Sequence, residues 1–186
     1  MAEFTLKAKS VLGGFDHDFD GTRLTEWEGM ACVAVSVPMG GAEALAKKVK
    51  TAFGGSIPKV GQSYVGKGDA RVVAFTDDQF FVVYEGEPHG AVPLIEKKLG
   101  KTGYYVEQTN NWVALELSGP KAIAALERIC AIDMAVFAVD AAERTVMEHM
   151  GALVIRRGQD DFLLMSASST AGSFLHAVET SVKYVS

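Results

Sequence analysis

The chain has 186 residues, of which 48% are hydrophobic and 22% are charged, and its formal net charge is −5. This size and composition are ordinary for a folded globular protein and unlike those of a disordered chain. The acidic balance argues against nucleic acid as a partner, because phosphate binding needs a concentrated basic face.

Two further classes of protein are disfavoured by the residue pattern. Cys32 and Cys130 give neither a metal-ligand spacing nor a disulfide framework, and each sits in an apolar run. The longest apolar stretch, from Met30 to Met39, is about half of a membrane span, and the N-terminus lacks the apolar core of a signal peptide. We therefore expect no membrane association and a cytoplasmic location.

Residues 1–29 differ from the rest of the chain. They are rich in Gly and Asp and show no sustained period typical of a strand or a helix, so we interpret them as an N-terminal arm outside any repeat. Scattered in this arm are the aromatic residues Phe15, Phe19 and Trp27. Because aromatic side chains are enriched in interface cores, we predict that these three contact a partner.

The stretch from residue 31 to 109 alternates between strand and helix signals. Val33, Val35 and Val37 recur at strand spacing, and Gly54-Gly55 closes a helical pattern with the residue type favoured past a C-terminus. The predicted elements are a strand at 31–37, a helix at 43–53, a loop at 56–70, a hairpin of 71–76 with 79–85, a helix at 91–99 and a strand at 103–109.

The same order of elements then begins again. The run Val-Ala-Val-Ser-Val at 33–37 returns as Val-Ala-Leu-Glu-Leu at 113–117, and the turn Asp77-Asp78 is matched by Asp160-Asp161. Such fixed-offset similarity indicates a duplicated supersecondary unit. The predicted elements of the second copy are strands at 112–118, 145–156 and 161–168 and helices at 120–130 and 171–184.

These elements predict an α+β fold of two fused split βαβ pseudo-repeats, each strand-helix-strand-strand-helix-strand, with helices packed on mostly antiparallel sheets. The predicted parts are the arm at 1–29, a first repeat at 30–110 and a second repeat at 111–186 that lacks its last strand. The open edge beside strand 112–118 then needs a cover. We expect strand 103–109 to fold back onto it through Asn110-Asn111.

One segment resembles a metal site. Residues 16–21, Asp-His-Asp-Phe-Asp-Gly, follow the first half of an EF-hand loop, but its twelfth position is Trp27 instead of a closing carboxylate. We interpret the segment as an acidic, solvated turn.

The sequence shows no catalytic constellation. His149 follows Glu148 on a predicted strand, where neighbouring side chains point to opposite faces, and neither His89 nor His176 has a visible partner. The serines at 166–169 are better placed to cap the helix that begins near Thr170 than to act as nucleophiles. We predict no catalytic, cofactor-binding or metal-binding residue in this chain.

Several segments of the chain together resemble a known family. They are Trp112–Ala122, Cys130–Asp133, Arg144-Thr145, the hairpin at 161–164 and the strand-turn-strand segment at 76–83. Over residues 30–186 this pattern of hydrophobic residues and turns is similar to the gamma subunits of heterotetrameric sarcosine oxidases. That family is related to the folate-binding aminomethyltransferases, such as the glycine-cleavage T protein.

The resemblance implies an aminomethyltransferase-like fold and a role as a structural subunit of a bacterial complex. Such a complex oxidatively demethylates sarcosine to glycine and also yields hydrogen peroxide and methylene-tetrahydrofolate. The implied partners are the alpha, beta and delta subunits, chiefly the aminomethyltransferase-like region of the large subunit. FAD, FMN, NAD, tetrahydrofolate and zinc are implied in those partners and none on this chain, so whether the chain is itself an enzyme stays open.

The sequence is also compatible with two other functions. The chain could be a stand-alone folate-binding one-carbon protein or an aminomethyltransferase-like enzyme, which needs a pocket between the two copies with Glu107 or Glu116 holding the pterin. A small-molecule-sensing regulatory module is a third hypothesis and rests on fold analogy alone. The substrate of the implied complex, sarcosine or another N-methylated amine, is not fixed by the residues.

Overall fold

The computed structural model of the chain describes residues 9–86 and 90–186, so Glu87, Pro88 and His89 lie outside the described residues. Within these ranges the chain forms strands and helices in the mixed order of an α+β protein, which confirms the predicted fold class. In chain order the elements are β1 (Asp16–Phe19), β2 (Thr22–Glu26), β3 (Met30–Ser36), α1 (Ala42–Phe53), β4 (Ser63–Val65), β5 (Arg71–Thr76), β6 (Gln79–Glu85), α2 (Ala91–Leu99), β7 (Tyr104–Glu107), β8 (Trp112–Ser118), α3 (Ala122–Ile129), β9 (Ala142–Met147), β10 (Met150–Gly158), β11 (Asp161–Ala167) and α4 (Ala171–Val185).

The strands form two antiparallel sheets. The six-stranded sheet has the order β1-β2-β8-β11-β10-β9, and the five-stranded sheet has the order β4-β5-β6-β3-β7. Read from β9 to β2 and from β4 to β7, the two orders match strand for strand. The six-stranded sheet has one additional strand, β1, which has no equivalent in the five-stranded sheet.

The pairing registers show the same duplication. Val35 pairs with Phe80 in the first copy as Leu117 pairs with Phe162 in the second, so the equivalence lies two positions further along than the sequence repeat suggests. Both copies also carry a register shift at the end of the hairpin, between Ala74 and Thr76 in β5 and between Arg156 and Gly158 in β10. Bulges are conserved within protein families, so a bulge at the same place in both copies supports common descent of the two halves.

The predicted cover of β8 is wrong. β7 pairs with β3 in the five-stranded sheet, and the strand beside β8 is β2, in the register of Leu24 opposite Leu117. The hairpin of β1 and β2 therefore supplies the last strand that the second copy lacks. For residues 16–26 the interpretation as an arm outside the repeats is also wrong, while the division of the chain at residues 29 and 110 stays a prediction.

Helices cover the outer faces of both sheets. Because strand side chains alternate between faces, Val33 and Val35 pack with helices α1 and α2, whereas Cys32 and Ala34 face the other sheet. On the six-stranded sheet, Leu115 and its neighbours pack with α3 and α4 in the same way. The result is four layers in the order helices, sheet, sheet, helices.

Two local predictions of secondary structure are wrong. The predicted loop at 56–70 contains the short strand β4, and the predicted strand at 145–156 is a hairpin of β9 and β10. Its turn is formed by Glu148 and His149, which both have positive φ (45° and 69°). Neither residue type signals such a turn, since Asn, Asp and Gly are the usual occupants.

The described part of the chain contains no helix with both the length and the apolar character that a membrane crossing requires.

Candidate functional site

A cleft of about 690 Å³ opens between the two sheets. Both copies contribute to it, because β5 enters its wall from the five-stranded sheet and β10 and β11 enter from the six-stranded sheet. Its lining combines an aromatic ring, small and aliphatic residues and four ionisable side chains: Trp27, Val65, Gly68, Asp69, Arg71, Glu85, Gly86, Arg157 and Leu163.

Arg71 is the most buried of the ionisable groups, with 7% of its surface exposed. It reaches the cleft because it lies two residues before Val73, on the same face of β5, and this face looks toward the other sheet. Its Nη1 donates to Oγ of Ser63 at 2.8 Å and to Oδ1 of Asp140 at 2.7 Å. The guanidinium thus ties the first copy to the loop before β9 in the second.

Arg157 stands on the opposite wall. Its side chain is paired with the carboxylate of Glu116, and its Nη2 lies 2.6 Å from Oδ1 of Asp161. These pairs join three neighbouring strands, β8, β11 and β10, on the inward face of one sheet. The charge of both arginines is therefore compensated by carboxylates of the same chain.

The two glutamates considered for pterin binding lie on different sheets. Glu116 is half-buried on the inward face of the six-stranded sheet, where it pairs with Arg157 of the cleft wall. Glu107 is exposed at the end of β7 and accepts a hydrogen bond from the backbone N–H of Thr109 at 3.1 Å. The structure brings Glu116, but not Glu107, to the space between the copies.

The three aromatic residues of the N-terminal segment pack on this chain's own cores. Phe19 is 8% exposed, and the half-buried Phe15 lies against the same helix-covered core. Trp27 packs against the core between the sheets and lines the cleft and a second cavity of about 580 Å³. Contact of these three residues with a partner stays a prediction. Because Phe19 is buried, little of its ring surface is accessible to a partner.

Of the acidic segment at 16–21, the first four residues form β1 and the last two form the tight turn to β2. Nε of Arg23 donates to Oδ1 of Asp16 at 2.8 Å, and this pairing lowers the pKa of Asp16 to about 2. Asp20 and Gly21 both have positive φ, as a two-residue hairpin turn requires. Across residues 9–86 and 90–186, no group of three or more His, Cys, Asp or Glu side chains is placed to hold a metal ion.

The candidate nucleophiles and bases are dispersed. Cys32 is fully buried between the sheets, and burial raises its thiol pKa far above the usual value. His149 is exposed in the β9–β10 turn instead of lying on a half-buried strand. The predicted serine cap is also wrong, because α4 has Thr170 at its N-cap with no side-chain cap, and Oγ of Ser168 donates to the carbonyl of Asn110.

Sequence reasoning did not find the cleft arginines. Arg71 and Asp140 are far apart along the chain, and neither stands in a motif that could have linked them. Arg157 and Asp161, by contrast, flank the predicted hairpin turn, and this spacing could have indicated that the two side chains form an ion pair.

The chain has an aminomethyltransferase-like fold, in agreement with the fold that the resemblance implied. More particularly, it is similar to a chain of the heterotetrameric sarcosine oxidase from Corynebacterium sp. U-96 in complex with pyrrole 2-carboxylate, with a TM-score of 0.76 and 23% identity. That match covers 88% of this chain and 85% of the other. The glycine cleavage system aminomethyltransferase T from Bartonella henselae has a TM-score of 0.66 at 17% identity, over 85% of this chain and 45% of that one. No protein-family model and no curated protein matches the chain.

Proposed function

We propose that this chain is a non-catalytic structural subunit of a multisubunit, sarcosine oxidase-like complex. In this proposal the complex oxidatively demethylates sarcosine to glycine, or another N-methylated amine to the corresponding demethylated amine, and it yields hydrogen peroxide and methylene-tetrahydrofolate. The chain is the counterpart of the gamma subunit and acts in the cytoplasm.

The observation that carries the proposal is the extent of the structural match. The sarcosine oxidase chain and this chain cover each other almost equally, at 85% and 88%. The aminomethyltransferase, in contrast, is matched over only 45% of its length, so this chain spans about half of that enzyme. The extensive match to the sarcosine oxidase chain supports a role like that of this chain in its complex.

The bonding of the ionisable side chains supports the same proposal. In the described residues, the two buried or half-buried arginines of the cleft are held by Asp140, Glu116 and Asp161 of this chain. A catalytic acid or base needs a protonation state that can change during the reaction. The side chains of these ion pairs instead connect strands to one another and to the loop before β9. We therefore assign FAD, FMN, NAD, tetrahydrofolate and zinc to the alpha, beta and delta partner chains.

Expression of the affinity-tagged chain in its source cells tests the proposal. We expect it to purify with larger chains that carry flavin absorbance, and native mass spectrometry should give one copy of this chain per complex. The purified complex should release hydrogen peroxide when sarcosine is added. If the chain purifies alone, or with partners that contain no flavin, the proposed function is wrong.

A folate-binding one-carbon protein is the second candidate, and the cleft is the observation that favours it. A conjugated ring could stack on Trp27, and a carboxylate tail could meet Arg71 or Arg157. Calorimetric titration of the isolated chain with tetrahydrofolate decides the matter. Heat that disappears in Arg157→Met but persists in Arg144→Met, whose side chain lies outside the cleft, would establish folate binding, whereas no heat in the native chain would remove it.

A further inference from the structure

The two sheets have four edge strands, and three of them are protected. β1 carries the exposed carboxylates of Asp16 and Asp18, and β9 carries the exposed Glu143 and Arg144. Charged side chains of this kind keep other strands from pairing with an edge. The edge at β4 is closed by the other copy, because the N–H of Ser63 donates to the carbonyl of Asp140 at 2.7 Å.

β7 has less protection, because its one charged side chain, the exposed Glu107, lies at the end of the strand and on the face of the sheet that carries the helices. Tyr104 is 67% exposed and Val106 is 51% exposed, on the face of the sheet that looks toward the other copy but extends beyond its cover. Within the two described ranges, no strand pairs with the outer edge of β7, which ends the sheet order. A sheet edge with exposed apolar residues is a template for an additional strand.

The second copy shows which backbone groups of β7 point outward. The N–H of Gln108 donates to the carbonyl of Cys32 at 2.9 Å, and the N–H of Trp27 donates to the carbonyl of Ala114 at 2.9 Å. These bonds occupy equivalent places, one after β7 and one after β2. Because inward and outward groups alternate along an antiparallel strand, the N–H of Glu107 faces away from β3.

The same copy also shows what such an edge binds. Glu26, the equivalent of Glu107, donates its N–H to the carbonyl of Phe15 at 2.7 Å, immediately before β1. On the inward face, Asp16 of β1 bonds to Arg23 and Thr25, which are the equivalents of Tyr104 and Val106. The edge that is covered by β1 in one copy is thus left uncovered in the other by residues 9–86 and 90–186.

We infer that β7 binds an extended segment of another subunit, which adds to the five-stranded sheet as a sixth strand. Main-chain hydrogen bonds to Tyr105 and Glu107 provide the register, and apolar side chains at alternate positions of that segment pack on Tyr104 and Val106. Exposed lysines lie beside the start of β7, at the end of α2 and in the turn that follows: Lys97, Lys98 and Lys101. The segment is therefore acidic at the end that meets them.

This inference rests on the proposed function, since it names the strand through which the subunit docks. A second copy of this chain is a poorer occupant. Two four-residue strands paired with each other bury far less than the ~1,200 Å² of a stable interface, whereas a larger subunit adds contacts beyond the strand.

Glu107→Pro is the direct test, with Glu107→Gln as its matched control. Both variants lose the carboxylate, but only proline removes the outward N–H, and it leaves the bonds between β3 and β7 in place. We expect the proline variant to bind the remaining subunits about tenfold more weakly or worse, and the glutamine variant to bind like the native chain. Equal melting temperatures of the two isolated variants show that both are folded.

Hydrogen exchange provides a readout that does not depend on a variant. The amides of Tyr105 and Glu107 should exchange rapidly in the isolated chain and slowly in the purified complex. If the complex forms but these amides stay unprotected, or if Glu107→Pro assembles normally, this inference is wrong and the proposed function stands. Protection already present in the isolated chain, as a monomer or a dimer, overturns the inference, and failure of the native chain to assemble overturns both.

Discussion

Nη1 of Arg71 lies 2.7 Å from Oδ1 of Asp140, and this pair fastens the start of β5 in the first copy to the loop before β9 in the second. The arginine is buried, whereas the aspartate side chain is about half exposed. Asp140 also has a positive φ of 67°, a conformation that Asn tolerates as well as Asp does. Asp140→Asn therefore removes the charge without straining the backbone.

We predict that Asp140→Asn lowers the free energy of unfolding by about 1–2 kcal/mol, because it leaves the buried guanidinium without its counter-charge. Urea denaturation measures the change. Asp77→Asn is the control, since Asp77 is exposed in the turn between β5 and β6 and its substitution should change stability very little. Equal stability of the two variants would mean that Ser63 alone is enough to hold Arg71.

The placement of the β1–β2 hairpin can be tested at Gly119. This residue has φ of +123°, and an added Cβ would lie 2.4 Å from the carbonyl oxygen of Gly21 in the hairpin turn. We predict that Gly119→Ala lowers the free energy of unfolding by about 2–4 kcal/mol through this clash and the strained φ.

Gly172→Ala is the matched control for that substitution. Gly172 lies near the start of α4 with open space around its Cβ position, so alanine should leave the free energy of unfolding unchanged or raise it by up to about 1 kcal/mol. Thermal denaturation of both variants measures the two changes in stability. A Gly119→Ala variant as stable as the control would contradict the contact between the hairpin and the end of β8.

The two thiols should differ in reactivity. Cys32 is fully buried between the sheets, and burial raises its pKa well above the usual value, so its reactive thiolate is scarce at neutral pH. Cys130 is only half-buried, with a smaller increase in pKa that also comes from burial. We predict that N-ethylmaleimide labels Cys130 first in the folded chain and reaches Cys32 only in denaturant, as peptide mass spectrometry can establish.

Asp16 should titrate at unusually low pH. The hydrogen bond from Arg23 lowers its pKa from the ordinary 3.8 to about 2, so the pair contributes stability above about pH 4 and loses it as the pH falls through about 2. NMR titration of the carboxyl carbon measures this value. In Arg23→Gln we expect the pKa of Asp16 to move back toward 3.8, and an unchanged pKa would show that Arg23 is not the cause.

Locally encoded elements were predictable from the sequence. The hairpin at 71–76 and 79–85 and the helix at 91–99 have the predicted bounds, because β-branched runs, an Asp-Asp turn and helical apolar spacing lie within each segment. The matched turns also act as predicted, since the carbonyls of Asp78 and Asp160 accept equivalent hydrogen bonds from Val37 and Gly119.

Long-range pairing was not predictable in the same way. β2 is a short strand in which Arg23 and Thr25 alternate with the buried Leu24, so its pattern is no stronger than that of the surrounding turns. Its choice of β8 depends on an edge formed about ninety residues later in the chain, which no local signal can specify. The Arg71–Asp140 pair escaped prediction for the same reason.

The position of β2 has a consequence for folding during synthesis. The strands of the five-stranded sheet lie between residues 30 and 107, so that sheet can close as soon as its own segment has left the ribosome. The six-stranded sheet must wait, because its first hairpin, at residues 16–26, is made before the five-stranded sheet and its remaining strands, at residues 112–167, are made after it. Such distant contacts slow folding, so the hairpin of a nascent chain has no strand to pair with until β8 emerges.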